Sequence, residues 1–108
     1  MQACQPENFE NLAWLERALA PLTTASTLTA SDREKRFAGI ETDSRKLAAG
    51  VVFAALSGER FDGHDFVEKA AAAGAVAAIV SRPVKAAIAQ IVVTDVRAAF
   101  GLAAKRWR

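Results

Sequence analysis

The chain is poor in the residues that carry most recognisable chemistry. It has one cysteine, Cys4, so neither an internal disulfide nor a cysteine-based metal site can form. It has one histidine, which excludes any His–His metal spacing. There is no tyrosine, and only three prolines interrupt 108 residues. Apolar runs are broken by Gly, Lys or Pro well short of the roughly 20 residues a membrane span needs. The opening Met1-Gln-Ala-Cys-Gln-Pro-Glu lacks the basic and apolar regions of a signal peptide, so a cytoplasmic location is expected. Cys4 reads as a thiol in a loose amino terminus, with residues 1–8 expected to be disordered. No G-x-x-x-x-G-K-[ST] loop and no G-x-S-x-G elbow occur. No catalytic residue, no bound metal and no cofactor is therefore assigned to this chain.

Charge is equally uninformative about large partners. The net charge is +2, and much of the excess sits in Lys105, Arg106 and Arg108, where a helix end tolerates cations. No basic stripe interleaved with aromatics accompanies it, so no nucleic-acid partner is expected.

What is present is enough apolar content, 52%, for a real core in a single domain. Leu12, Leu15, Leu19 and Leu22 recur at helical spacing, which predicts a helix over 11–20 capped by Asn8 or Asn11 and ended by Pro21. Residues 23–36, rich in Thr, Ser and charge, read as a loop with at most a short turn or strand piece. Strands are expected at 37–42, 51–56, 75–80 and 91–93. The second of these is continuously apolar and hence covered on both faces. Helices are expected at 64–73, stopped by Gly74, and at 95–107, capped by Asp95. This order predicts an α/β fold: a small single domain with a largely parallel sheet of about four to five strands and flanking helices. Residues 1–36 form the amino-terminal helix and loop, and 37–108 the main unit.

Two polar, turn-forming clusters flank the strand at 51–56. The first is Thr42, Asp43, Ser44, Arg45 and Lys46. Its plain reading is a turn with an Asx-type hydrogen bond and a surface arginine. Its functional reading is a site for a phosphate or a uracil edge, built from the Ser44 hydroxyl, backbone N–H groups and Arg45. The second cluster runs from Gly58 to His64. Glu59, Arg60 and Phe61 put an acceptor, donors and an aromatic face side by side, a combination suited to a planar base. Asp62, His64 and Asp65 either set one imidazole between two carboxylates or simply cap a helix start. Read along the chain, the clusters stand at opposite ends of a strand roughly 20 Å long; they share a ligand only if neighbouring strands and loops fold one cluster back, or if the ligand is long.

The run from Thr42 to Phe66 fits T-D-[ST]-R-x-[LV]-x-x-G-x-x-F-x-A-[LV]-x-G-x-x-x-D-G-x-x-[FY]. It resembles the amino-terminal domain of the UDP-N-acetylmuramoyl-peptide ligases, the Mur ligases of bacterial cell-wall synthesis. Ala73-Gly-Ala-Val-Ala-Ala-Ile-Val-Ser81 and Val92-Val-Thr-Asp-Val-Arg-Ala-Ala-Phe-Gly101 continue the likeness, which covers about residues 37–106. The loop from Gly58 to Phe66 looks most like the branch that adds D-alanyl-D-alanine to the UDP-muramoyl-tripeptide. The sister branch, which adds the third amino acid, is the alternative, within a fused ligase or alone.

The resemblance implies a three-domain enzyme. Its first domain binds UDP, its second carries ATP and Mg²⁺, and its third admits the incoming amino acid or dipeptide. The carboxylate is activated as an acyl phosphate and attacked by the incoming amine. It also implies that this chain alone is not catalytically competent, because the ATP-binding and carboxy-terminal domains lie outside it. Ser44 and Arg45, with Glu59, Arg60 and Phe61, are the implied UDP-binding residues. Asp43, Asp62 and His64 match motif positions with a structural or binding role. The implied partners are a UDP-N-acetylmuramoyl-peptide, the remaining Mur ligase domains and other cell-wall enzymes. A non-catalytic interaction module, contacting those enzymes through Lys105–Arg108, is the reading from a different class.

Overall fold

The computed structural model describes residues 11–57 and 62–107, with side chains as far as Lys105. Helix α1 spans Leu12–Ala18, and Asn11 is its N-cap: Oδ1 accepts the Trp14 N–H at 2.9 Å. Pro21 falls within a helical turn at Ala20–Leu22, which leads directly into β1, Thr23–Ser26. Helix α2, Ala30–Arg33, is one turn held by a capping box between Thr29 and Asp32. Strand β2 (Gly39–Glu41) is followed by a helical turn at Ser44–Lys46 and then by β3 (Val51–Ala54). A second such turn, Gly63–Phe66, opens α3, Val67–Ala73. Strands β4 (Ala77–Val80) and β5 (Gln90–Val93) precede α4, Val96–Trp107. Asp95 Oδ1 accepts the Ala98 N–H at the start of α4, as a capping residue should.

The five strands form one sheet in the order β1-β5-β4-β3-β2. Strands β2 to β5 are parallel, and β1 joins β5 antiparallel. The α/β fold with a largely parallel sheet is thus the observed one. The segment read as a loop, 23–36, contains β1 and α2. Its signal was weak because β1 is a half-exposed edge strand of small polar residues, and its identity comes from pairing Thr23 with Val93 and Ser26 with Ile91.

Side-chain alternation along β3 to β5 feeds two cores. On one face Val52, Ala54, Ala77, Ile79, Ile91 and Val93 meet Leu12 and Leu15 of α1, Leu19 at its C-cap, and Val96, Ala99 and Ala103 of α4. On the other, Phe53, Ala55, Ala78, Val80 and Val92 meet Val67 and Ala70 of α3. The central strands are therefore covered on both sides, as their continuous apolar runs require. The alanines matter here, since a side chain of one carbon lets a helix approach the sheet closely.

Helix α3 ends where the sequence predicts. Gly74 has φ of 96°, a left-handed conformation open to glycine. The N–H groups of Gly74 and Ala75 close back on Ala71 and Ala70 oxygens. The carbonyl of Gly74 then accepts the Gly50 N–H at 2.9 Å, tying the entrance of β3 to the end of α3.

Candidate functional site at the carboxyl edge of the sheet

Because β2 and β3 run parallel, with Glu41 beside Phe53, the loops that follow each strand emerge at the same edge. The chain between them, 47–50, returns to the opposite edge before β3 begins. The first cluster and the described end of the second, Asp62 to His64, are consequently neighbours, not the two ends of one span. Thr42, Asp43, Ser44 and Arg45 share a cavity of about 410 Å³ with Phe53, Leu56, Gly63 and Phe66. That volume lies in the range of small-molecule sites, and the carboxyl edge is where open α/β sheets bind ligands. Strand-by-strand reading placed the clusters apart because it took their separation along β3 alone and left out the parallel return.

The first cluster is built largely from its own acids. Glu41 Oε2 accepts the N–H groups of Thr42 (3.1 Å) and Asp43 (3.0 Å). Asp43 caps the turn at Ser44–Lys46, accepting the Arg45 N–H at 2.9 Å. Its two oxygens also take Arg45 Nε and Nη2, both at 3.1 Å. The Arg45 side chain partner holds the Asp43 carboxyl below its ordinary range. Arg45 itself is 85% exposed, so this fork is solvated and easily exchanged for another anion. Several N–H groups expected to greet a ligand are thus already taken. Ser44 offers a hydroxyl at the cavity wall.

The second cluster is organised around Asp62. Its Oδ1 accepts the His64 N–H at 2.9 Å, the His64 Nδ1–H at 2.7 Å and the Ser57 hydroxyl at 2.8 Å. Its Oδ2 accepts Arg82 Nη2 at 2.6 Å. The Arg82 guanidinium, then the His64 and Ser57 donors, hold the Asp62 carboxyl far below the usual carboxylate range. His64 is only 4% exposed. Its Nε2 lies 2.9 Å from the Ser81 N–H, which can only donate, so the ring hydrogen resides on Nδ1 and points to Asp62. Asp65 is exposed and does not flank the ring. Ser57 and Asp62 also face each other as an antiparallel bridge.

Gly63 fits where no side chain would. Its N–H donates to the Leu56 carbonyl at 2.8 Å. A Cβ there would collide with that same oxygen and stand 2.8 Å from the Leu56 nitrogen.

Among the residues expected at the site, Asp43, Ser44 and Arg45 line the cavity, and Asp62 and His64 flank Gly63 in its wall. Glu59, Arg60 and Phe61 lie outside the described residues, as do Cys4, residues 1–8 and the side chains of 106–108. Sequence reading missed Glu41, Ser57, Ser81 and Arg82. Ser81 and Arg82 close β4, and only the parallel β3–β4 pairing, which sets both strand ends together, could have pointed to them.

A second cavity, about 210 Å³, adjoins the first at the same edge and is lined by Ser57, Ser81, Thr94, Asp95 and Arg97 among others. Leu56 borders both. Among the described residues, no group of three or more His, Cys, Asp or Glu could hold a metal ion. No described helix is long and apolar enough to cross a membrane.

Comparison with known proteins meets this edge. The UDP-N-acetylmuramoyl-tripeptide–D-alanyl-D-alanine ligase of Escherichia coli strain K12 is 53% identical over 62 residues, covering 57% of this chain and 14% of the relative. The UDP-N-acetylmuramoyl-L-alanyl-D-glutamate–2,6-diaminopimelate ligase of Aquifex aeolicus is 43% identical over 65% of this chain and 14% of its own length. The solved structure of the UDP-N-acetylmuramoylalanyl-D-glutamyl-2,6-diaminopimelate–D-alanyl-D-alanyl ligase of Acinetobacter baumannii superposes with a TM-score of 0.72 at 37% identity, over 93% of this chain and 22% of that one. The chain thus spans about one-seventh to one-fifth of the length of these relatives. The description "Mur ligase family, catalytic domain" matches residues 36–108, and the chain belongs to that family.

Proposed function

We propose that this chain holds the UDP end of a UDP-N-acetylmuramoyl-peptide for a Mur ligase, in the branch that adds D-alanyl-D-alanine during peptidoglycan synthesis in the cytoplasm. In this reading residues 37–108 form the substrate-binding unit, 1–36 are the helix and loop that precede it, and the remaining ligase domains are its partners. The observation that carries it is the shared cavity, which sets a Ser-Arg turn against an apolar wall of Phe53, Leu56 and Phe66. A planar uracil suits that wall. The Ser44 hydroxyl is placed to hydrogen-bond it or the ribose, and Arg45 can leave Asp43 for a phosphate. The resemblance adds Glu59, Arg60 and Phe61, outside the described residues, as candidate contacts to the base.

ATP and Mg²⁺ belong to the whole enzyme in this reading. The sequence has no phosphate loop, and this reading assigns the step that uses ATP to the other domains of the enzyme. The diaminopimelate ligase match favours a second reading, the sister branch, which shares the same UDP end. Assaying a full-length enzyme carrying this domain with D-alanyl-D-alanine and with diaminopimelate as acceptors separates the two.

Titrating UDP into the 108-residue chain tests the common claim. The expected affinity is high micromolar to millimolar, or about 4–6 kcal/mol, with amide shifts at Ser44 and Phe66. Arg60→Ala should weaken it roughly tenfold to a hundredfold through a lost charge-assisted hydrogen bond. Saturating UDP that moves neither amide would refute the site.

A further inference from the structure

The buried imidazole has no free nitrogen to offer a ligand. Nδ1 is engaged with Asp62 at 2.7 Å and Nε2 with the Ser81 N–H at 2.9 Å, with the Ser81 hydroxyl 3.2 Å away. Asp62 follows β3 and Ser81 follows β4, so the ring ties together two loops that, among the described residues, are otherwise joined by the side-chain bond from Arg82 to Asp62. That outer bond is exposed, Arg82 being 56% accessible, whereas the imidazole is almost fully enclosed. The elements it joins are walls. Gly63 and Phe66 line the larger cavity, and Ser57 and Ser81 line the smaller one.

We propose that His64 is a positioning residue: it fixes the wall between the two cavities, and thereby the shape of the nucleotide site, without touching the nucleotide. The proposal rests on the reading that the larger cavity takes UDP. The physical basis is that a rigid ring spans both partners with one hydrogen on Nδ1 and one lone pair on Nε2. A buried donor such as the Ser81 N–H is costly to leave unpaired, so the wall is held in one arrangement. Gly63, adjacent to the ring, can then keep its close approach to Leu56.

Three variants divide the two bonds. His64→Leu removes both, His64→Gln keeps an acceptor near the Nε2 position, and His64→Asn keeps a donor near the Nδ1 position. Two readouts are taken on the 108-residue chain: hydrogen exchange of the Gly63 N–H without ligand, and UDP affinity by NMR titration. With His64→Leu, Gly63 exchange should accelerate at least tenfold and UDP affinity fall at least tenfold. With His64→Gln, both should recover to within about threefold of the parent chain, which a role confined to apolar filling would not produce. If His64→Leu does not fold, the His64→Asn and His64→Gln pair gives the same comparison, with the Gln variant closer to the parent. Folded variants that match the parent chain in both readouts would overturn the proposal. If the parent chain fails to bind UDP, the nucleotide reading fails by itself. Gly63 exchange then decides the wall: unchanged exchange in the variants overturns positioning as well.

Discussion

Asp43 and Asp62 have the same local task. Each follows a strand, each caps a single helical turn, and each accepts the N–H two residues on. Their surroundings differ. The side-chain partner of Asp43 is Arg45, also two residues on and almost wholly solvated. Asp62 gathers Ser57, His64 and Arg82 from three places in the chain, one of them 20 residues away. The first turn is therefore held by contacts the unfolded chain can also make, whereas the second adds two, Ser81 to His64 and Arg82 to Asp62, that exist only when β3 and β4 are paired. On the proposed reading, a ligand competes for the arginine of the first turn, and the second serves as its scaffold.

The largest effect should come from the floor beneath both turns. Phe53 is 1% exposed, and Phe53→Ala should cost about 3–5 kcal/mol by leaving a void in the face covered by α3, measured by urea unfolding. Next is Gly63→Ala, where backbone must move to admit one methyl. A loss of about 1–3 kcal/mol is expected, with the second turn disturbed and the first intact by amide shifts.

Asp62→Ala should lower the melting temperature by roughly 5–10 °C, since it removes a cap and leaves the buried Nδ1–H of His64 unpaired. Its pH signature follows from the lowered carboxyl. The stability that Asp62 supplies is fully present above its ordinary value of 3.8 and is lost as pH falls from there toward its depressed folded value. The parent chain should lose stability steeply below about pH 4, and Asp62→Ala should flatten that fall. Equal acid slopes in the two proteins would contradict the assignment.

The smallest effect is expected for Arg45→Ala, a change in melting temperature of about 2 °C or less, because an exposed ion pair contributes little. If Arg45→Ala proved as damaging as Asp62→Ala, the contrast between a local and a long-range turn would fail.

Sequence made part of this contrast visible. The periodic leucines of α1, the apolar runs of β3 to β5, Asp95 as a cap and Gly74 as a stop all carry local signals, and each stands where those signals put it. Asp62 at a helix entrance was also legible, since Asp-Gly-His before an apolar helix is a capping pattern. Arg82 was not, because nothing within a few residues of it marks a partner 20 positions away. Strand β1 was obscured for a similar reason: Thr23–Ser26 has no apolar alternation, and only the neighbouring β5 makes it a strand. The meeting of the two clusters follows from the parallel sheet that the element order predicts, and was hidden only when the separation was measured along β3 alone.

The pairing of β1 with β5 also sets an order of events for a chain leaving the ribosome. Thr24 Oγ1 donates to the Val92 carbonyl across 68 positions of sequence. Strands β3, β4 and β5 each lie beside the one made just before, so they can be added to β2 in the order they are synthesised. Strand β1 is made first and seated last. Until Gln90–Val93 emerges it has no neighbour, and closing so long a loop is a slow, entropically opposed step. The Thr and Ser residues of that strand, poor in apolar surface, suit a segment that must wait in water without sticking to another chain.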